Sequence, residues 1–419
     1  MIRHLFKLIW NRKRANALVI AEIFVCFLVL FAVTTLALHS VTTYGRPLGF
    51  QYANVFGIDV EFEASRGDGQ SSSTGSATEA PPPPANVHEA RQRALLAIAK
   101  ADPAVVDAAW ASPIPFSHSN ESRGVNIKGR RLQFSLARCT DEYASVMGIE
   151  ITRGRWFSAE DQGAPYDAYV ITEAMAKNLF PDEDPLGKDL NGDRRPSDSG
   201  DPPERERRVV GVMKAFRQEG ELDSTQNYAL GRLNYASPQM QRIGNMVLRM
   251  VPGADALVEA RLAKALEDAA PDWSFRVAPL VLGAEFNRRI FLAPIGLAGV
   301  VAAFLILMVA LGLSGVLWQS VTTRIREIGV RRALGASGSA VRAQIIGELL
   351  TMTTIAAIGG VAVVLQFPFL DLLGGVSKTV FAAGLSLTLV ALYALAVACA
   401  LQPARLATTV HPAEALRYE

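Results

Sequence analysis

The sequence has few of the side chains that build disulfide frameworks or metal centres. Its 419 residues include three cysteines and five histidines. Cys26 and Cys399 lie in apolar runs and only Cys139 lies elsewhere, so a disulfide framework is excluded. The histidines stand singly along the chain, and we therefore expect no metal site.

Charge is also scarce. Charged residues make up 20% of the chain, whereas soluble proteins usually contain about 25%. Lys and Arg number 42 and Asp and Glu number 40, which leaves a net charge of +2 and no strongly basic surface for nucleic acid. Hydrophobic residues make up 50%, and the mean hydropathy is +0.20. This composition excludes a disordered chain, a collagen and a small secreted scaffold, and it indicates a membrane protein with a large soluble part.

Motifs that carry catalysis are absent as well. The sequence contains no GxxxxGK[ST] phosphate loop and no HExxH, GxSxG or CxxC pattern. The nearest match to a phosphate loop, at Leu186–Asp189, lacks both the first glycine spacing and the hydroxyl residue. We therefore expect no enzyme activity and no bound cofactor in this chain.

Four apolar runs are long enough to cross a membrane, which takes about 20 residues. They cover residues 17–38, 291–318, 343–365 and 380–401. The sequence therefore predicts one transmembrane helix, then a large domain outside the membrane, then three more transmembrane helices.

Basic residues in the short flanks of these spans predict the orientation, because Lys and Arg stay on the cytoplasmic side. They cluster in residues 1–16, 319–342 and 402–419, whereas the short 366–378 connection has one basic residue. The three basic flanks agree with one another if both termini are cytoplasmic. Residues 39–289 and the 366–378 connection then face outward.

Two acidic residues interrupt the spans. Glu22 lies about a turn and a half from the inner end of the first span, and Glu348 lies at similar depth in the third. A charge at the bilayer centre costs roughly 2.5–3.5 kcal/mol. At this depth, however, a carboxylate either reaches the interface or pairs with the basic inner loop as an intramembrane charge partner.

The outward-facing residues 39–289 predict a mixed α and β domain that contains two low-complexity stretches. Residues 66–86 are rich in Gly and Ser and then in Pro, as in a flexible or extended linker. Residues 191–208 form a polar insertion that is typical of a loop.

Short strands and helices fill the rest of this domain. Val125–Ala137 is typical of a strand pair that turns at Lys128-Gly129, and Ala168–Ile171 is typical of a short buried strand. A helix is predicted to follow over Glu173–Leu179. Short strands packed by helices predict an α+β domain.

The most informative stretch lies between the second and third spans, where residues 322–337 read TTRIREIGVRRALGAS. Ile325 and Ile328 fall on one side of a predicted helix that extends the second span. Glu327 precedes Arg331 by four residues, which is a favourable helical pair.

The end of this stretch carries helix stop and start signals. Gly335 supplies a stop, and Ser337 or Ser339 can cap the helix that enters the membrane. We therefore expect a short, basic, amphipathic helix just under the bilayer. It either binds lipid headgroups or docks a cytoplasmic partner.

This inner segment resembles the signature of the MacB/FtsX-like ABC permeases, in which span two is followed by T-R-x-R-E-I-G-x-R-x-A-x-G-A. External-domain segments of that family resemble MGIEITRGRWFSAED, YVITEAMAKNLFPDEDPLGKDL and RRVVGVMKAF. The final residues, HPAEALRYE, resemble its D-P-x-E-A-L-R motif, with His411 in place of the usual acid. The resemblance covers most of the chain and fails mainly over residues 66–86 and 191–208.

The resemblance implies a non-catalytic permease subunit that works as a dimer with a separate ABC ATPase. The second permease is either another copy or a similar chain. MacB carries its ATPase at the N-terminus, but only sixteen residues precede the first span here, so ATP and Mg are expected on a partner chain. ATP-driven motion would then be transmitted to the external domain, with no substrate path through the bilayer.

The resemblance also assigns the coupling to the ATPase to particular residues of the inner segment. Ile325 and Ile328 are expected to seat apolar contacts, and the arginines to hold ATPase carboxylates or lipid phosphates. The assigned residues are Arg324, Ile325, Arg326, Glu327, Ile328, Gly329, Arg331, Arg332, Ala333 and Gly335.

Several functions fit a permease of this kind in the bacterial inner membrane. We expect efflux or export with a periplasmic adaptor and an outer-membrane exit duct, because the large periplasmic domain exceeds the insert of cell-division FtsX. Lipoprotein extraction is one alternative. A regulatory scaffold that controls a cell-wall hydrolase, like FtsX, is another.

Overall fold

The chain divides into two compact units in a computed structural model. The helical unit combines Met1–Thr42 with Phe291–Glu419, and the sheet unit comprises Thr43–Ile290. The structure describes residues 13–62, 85–192, 205–234, 244–323, 330, 334, 337–368 and 376–409.

The described residues include eight α-helices and ten strands. The helices are α1 (Lys13–Tyr44), α2 (Ala85–Ala101), α3 (Tyr143–Met147), α4 (Glu173–Leu179), α5 (Ala256–Ala269), α6 (Leu280–Thr323), α7 (Gly338–Val364) and α8 (Lys378–Thr409). The strands are β1 (Val55–Phe62), β2 (Val105–Ser112), β3 (Glu121–Ile127), β4 (Arg130–Cys139), β5 (Ile151–Gly154), β6 (Tyr166–Thr172), β7 (Glu206–Met213), β8 (Tyr228–Arg232), β9 (Asn245–Met250) and β10 (Trp273–Pro279).

Four helices, α1, α6, α7 and α8, are long and apolar enough to cross a membrane. Such runs are helical in lipid because a helix satisfies its own backbone N–H and C=O groups. The predicted fold class, four membrane helices with a large α+β domain, is confirmed. The helices extend past the predicted spans, since α6 begins at Leu280 and α8 continues to Thr409. The span limits themselves stay predictions.

Within the helical unit, α1 packs against three other long helices through small residues. The fully buried ring of Phe27 lies over Gly360 of α7, where an added Cβ would come within 2.2 Å of the ring. Thr35 lies against Gly384 of α8, where an added Cβ would come within 2.5 Å of the Thr35 hydroxyl. Close backbone approach at small residues is the usual way in which membrane helices associate.

The sheet unit is built on one ten-stranded mixed sheet. The strand order is β10-β1-β9-β2-β4-β8-β6-β7-β5, and β3 pairs with β4 outside this path. The pairs β4–β8 and β6–β7 are parallel, and the other pairs are antiparallel. Helices α2 and α5 pack on the β1, β2, β9 and β10 end, and α4 packs on β4, β6 and β7.

Local turn and cap chemistry explains the elements that the sequence predicts here. The β3–β4 hairpin turns at Lys128-Gly129, both with positive φ, as two-residue hairpin turns require. The strand predicted over Ala168–Ile171 is the centre of β6. Thr172 then caps α4 by accepting a hydrogen bond from the Met175 amide at 3.4 Å. These predictions are confirmed.

Regular secondary structure begins inside both of the predicted low-complexity stretches. Helix α2 begins at Ala85, inside the predicted 66–86 linker. Strand β7 begins at Glu206, inside the predicted 191–208 insertion, because Arg207 and Arg208 pair in register with β6. The central parts of both stretches lie outside the described residues.

Candidate functional site

The predicted coupling residues lie outside the part of the chain that the structure describes. They are Arg324, Ile325, Arg326, Glu327, Ile328, Gly329, Arg331, Arg332, Ala333 and Gly335. Their assignment to ATPase coupling therefore stays a prediction. The structure describes the ends of the two helices that flank these residues.

The two helix ends that flank the coupling segment contact each other. Val321, in the last turn of α6, is buried against Val341 and Ile345 in the first turns of α7. The Ser337 hydroxyl caps α7 by accepting a hydrogen bond from the Ala340 amide at 3.3 Å, and it also contacts the Ser339 hydroxyl. Ser337 is thus the cap among the two predicted candidates.

The two intramembrane acids are placed in different helix contacts. The Glu22 carboxylate lies against Gly312 of α6, where a Cβ would come within 2.7 Å of its oxygens. Glu348 accepts a hydrogen bond from Gln344, one turn earlier in α7, at 3.4 Å. Four arginines of the basic inner loop that was predicted to pair with these acids lie outside the described residues, so this pairing stays a prediction. They are Arg324, Arg326, Arg331 and Arg332.

A polar cleft opens in the sheet unit between α2 and the strands β6 and β8. Its volume is about 220 Å³. The lining residues are Glu89, Arg93, Asp161, Gln162, Gly163, Tyr166, Asp167, Ala168, Arg205, Arg232, Leu233 and Asn234.

The charged side chains of this cleft form ion pairs. Asp167 accepts from Arg205 and from Asn234, each at 3.0 Å. The Asp161 carboxylate accepts two hydrogen bonds from the Arg155 guanidinium, at 2.6 and 2.7 Å. Burial alone would raise the pKa of Asp161, but the hydrogen bonds from Arg155 and the Ser158 amide hold this pKa below its usual value. Asp161 is therefore an ionised acceptor, and the ion pairs of this cleft fix neighbouring elements, which is a structural role.

A second polar cluster surrounds Arg217, in the connection between β7 and β8. Arg217 is only 4% exposed. It donates to the backbone carbonyls of Arg46 and Asp223, each at 2.9 Å, and to that of Glu221. Burial lowers the pKa of this guanidinium, which nevertheless remains a cation at any physiological pH.

No sequence pattern predicted this cluster. Arg217 follows the family-like RRVVGVMKAF segment directly, and that proximity is the only signal that could have drawn attention to it. Among the described residues, no group of three or more His, Cys, Asp or Glu side chains could hold a metal ion.

Comparison with known proteins identifies the family. A model described as a MacB-like periplasmic core domain matches residues 27–265, which is more than half of the chain. The chain belongs to the MacB/FtsX-like ABC transporter permeases. A second model, the FtsX-like permease C-terminal domain, matches residues 299–411 and includes the inner segment. The predicted resemblance is confirmed.

Relatives of this permease include proteins named as permeases alone and a protein named as an ATP-binding/permease protein. It is 26% identical to the uncharacterized ABC transporter permease YknZ of Bacillus subtilis, over 67% of this chain and 68% of the relative. It is 30% identical to the macrolide export ATP-binding/permease protein MacB 1/2 of Paracoccus denitrificans, over 54% of this chain. That match spans only 33% of the length of the MacB protein.

Solved structures that are similar to this permease come from the same family. The periplasmic region of MacB from Actinobacillus actinomycetemcomitans aligns with 57% of this chain at 15% identity and a TM-score of 0.35, over 93% of that structure. The extracellular domain of the noncanonic ABC-type transporter YknZ aligns with 52% at 16% identity and a TM-score of 0.33, over 99% of that structure.

Family membership and the four apolar helices together make the chain a multi-pass membrane protein. Members of the family are permease subunits of ABC transporters, and an ABC ATPase is part of such complexes.

Proposed function

We propose that this permease transmits ATP-driven motion from a separate ABC ATPase to its sheet unit, and that it serves export. The observation that carries the proposal is the FtsX-like match over residues 299–411, which contains TRIREIGVRRALGAS between two membrane helices. The contact between Val321 and Val341 supports it, because displacement of the inner segment then acts on α6 and α7 together.

The arrangement of partners follows from this role. The ATPase binds ATP and Mg and docks on the inner segment, where Ile325 and Ile328 seat apolar contacts and the arginines hold carboxylates or lipid phosphates. A second copy of the permease, or a similar chain, completes the dimer. Both termini lie in the cytoplasm and the sheet unit lies in the periplasm, where it engages an adaptor and an outer-membrane exit duct.

The similarity to MacB favours export over the alternatives, since that relative is named a macrolide export ATP-binding/permease protein. The YknZ relative supports an ATPase on another chain, because its name is that of a permease alone and the alignment covers 68% of it.

Capture of the tagged full chain from native membranes in mild detergent tests the proposal. Mass spectrometry should find an ABC ATPase in the eluate, with an adaptor or a second permease, at a level well above that in a control capture of an unrelated tagged membrane protein. An ATPase with a cell-wall hydrolase and no adaptor would move the function to regulation. An eluate without any ATPase would overturn the proposal.

A further inference from the structure

Two segments join the sheet unit to the membrane helices through the chain itself. Residues 45–52 follow α1, and the first turns of α6, residues 280–290, lead to the second membrane helix. Residues 215–223 between β7 and β8, which we name the junction loop, contact both of these segments.

The first segment is fastened to the junction loop by backbone contacts. The Arg217 amide donates to the Leu48 carbonyl at 3.0 Å, and the Arg217 guanidinium donates to the Arg46 carbonyl at 2.9 Å. Gly49 has a φ of +86°, and a Cβ there would lie 1.8 Å from the Ala215 carbonyl oxygen. The two backbones are thus in direct contact, at a position where only glycine fits.

A side-chain contact strengthens the same attachment. The Tyr52 hydroxyl donates to a carboxylate oxygen of Glu221 at 2.9 Å. Phe50 packs its ring 5.1 Å from that of Phe216, which belongs to the buried core under the sheet. The segment after α1 is therefore anchored to the loop and, through the loop, to the core.

The second segment is fastened to the same loop through α6. Asn287 is only 1% exposed, and its amide donates to the Glu219 carboxylate at 2.7 Å and to the Glu219 carbonyl at 3.3 Å. Gly283 of α6 and Gly220 of the loop both lie against Phe116, which a Cβ on Gly283 would approach to 2.9 Å. Helix α6 thus contacts the loop directly through hydrogen bonds, and both elements also pack on Phe116.

The loop itself is tied to the strands. The Gln218 side chain accepts from the Tyr228 hydroxyl and donates to the Ser119 carbonyl, each at 2.6 Å. Tyr228 is fully buried in β8. Because a buried polar group that loses its partners is costly, a loop with this many buried contacts moves with the sheet.

We propose that the junction loop is the mechanical joint of this permease, with Arg217 as its positioning residue. The loop makes the two membrane connections and the sheet move as one body, so that displacement of α1 and α6 reaches the whole sheet unit. Arg217 is decisive because its donors join carbonyls of the first segment to carbonyls of the loop. The inference rests on the proposed function, since it concerns how ATP-driven motion leaves the membrane helices.

Hydrogen exchange of the full chain with its co-purified ATPase in lipid nanodiscs tests this joint. Exchange is followed by mass spectrometry with and without ATP, and ATP hydrolysis is measured in the same samples. The variants are Arg217→Gln, for the first segment, and Asn287→Ala, for α6. Arg155→Gln is the matched control, since it breaks the bidentate ion pair between Arg155 and Asp161 in the same unit, away from the loop.

In the wild type, ATP should change exchange in β2, β4 and β8. In Arg217→Gln, exchange at residues 45–52 should rise about tenfold without ATP, which is the effect of losing roughly one buried hydrogen bond. The ATP-dependent change in the strands should be lost, while ATP hydrolysis stays within about twofold of wild type. Arg155→Gln should keep the ATP-dependent change. Asn287→Ala should weaken it, with faster exchange at residues 280–290.

Each failure has a separate meaning. A wild type whose strands show no response to ATP would overturn the proposed function itself. A wild type that responds, with Arg217→Gln and Asn287→Ala responding equally, would overturn the joint alone. If Arg217→Gln loses protection in all strands because it is unfolded, the result for Asn287→Ala decides whether the joint is upheld: a weakened ATP-dependent change supports it, and an unaltered change overturns it.

Discussion

At the scale of single residues, burial sets the reactivity of the thiol in the sheet unit. Cys139 is fully buried in β4, next to Tyr143 and Tyr228. Burial, with the nearby charges of Asp141 and Glu142, raises the pKa of this thiol well above its ordinary value. Since the thiolate is the reactive form, Cys139 should be inert in the folded protein.

We predict that maleimide modifies Cys139 at least about 100-fold more slowly before unfolding than after it. Peptide mapping by mass spectrometry distinguishes this cysteine from Cys26 and Cys399. Ser122→Cys, at an exposed position on β3, provides a control thiol that reacts in both states. Equal rates for Cys139 in the folded and unfolded protein would refute its burial.

A second residue-scale prediction concerns pH. Burial raises the pKa of Glu219, although the hydrogen bond from Asn287 and the charge of His118 oppose the rise and Asp223 adds to it. A carboxyl with a raised folded pKa stabilises the fold fully below its unfolded pKa. That contribution is lost as the pH rises through the folded pKa.

Glu219→Gln keeps an oxygen that can accept from Asn287 but does not titrate. We therefore expect its melting temperature, relative to wild type, to increase as the pH rises from about 4.5 toward 7. Thermal unfolding of both proteins in detergent across this range gives the difference directly. A difference that stays constant with pH would show that Glu219 ionises as freely in the folded protein as in the unfolded one.

At the scale of elements, adjacent glycines of α7 should respond differently to the same substitution. A Cβ on Gly360 would lie 2.2 Å from the ring of Phe27, which is fully buried and cannot move without displacing its neighbours. A Cβ on Gly359 would lie 3.6 Å from Phe24, which is an ordinary contact.

We predict that Gly360→Ala destabilises the helical unit by about 1–3 kcal/mol, as overpacking generally does. Gly359→Ala is the matched control and should leave stability unchanged or raise it, because alanine favours the helix. Thermal unfolding of the two variants in the same detergent checks the difference. If both behave alike, α1 does not approach α7 at Gly360.

The elements also show what sequence reasoning can reach. The β3–β4 hairpin, β6 and α4 were predictable because their signals are local: a turn at Lys128-Gly129, a short buried apolar run and a helix period. Strands β1 and β10 gave no such signal. They pair residues as distant in the chain as Phe56 and Pro279, and no local pattern carries that information.

At the scale of the whole molecule, the four spans could be predicted because length and hydrophobicity decide whether a helix crosses a membrane. The inner segment was recognised from its motif alone. The contacts of the junction loop could not be predicted, since nothing in the sequence distinguishes Arg217 from an ordinary surface arginine. Its acceptors are backbone carbonyls, one of them 171 positions away, and every residue type provides a carbonyl.

The central claim is that the inner segment passes ATP-driven motion to the sheet unit, and one double variant tests it most directly. Glu327→Ala with Arg331→Ala removes the predicted helical ion pair of that segment. Arg342→Ala is the control, because Arg342 is a basic residue of the same flank whose guanidinium bonds to Gly338 of its own helix.

The measurement is the ATP-dependent change in hydrogen exchange of the sheet unit in the captured complex, with ATPase binding and hydrolysis followed in the same samples. The account predicts that the double variant still binds an ATPase that hydrolyses ATP, but that the change in the sheet unit disappears while Arg342→Ala keeps it. A double variant that retains the full change, with ATPase binding unaltered, would contradict the account.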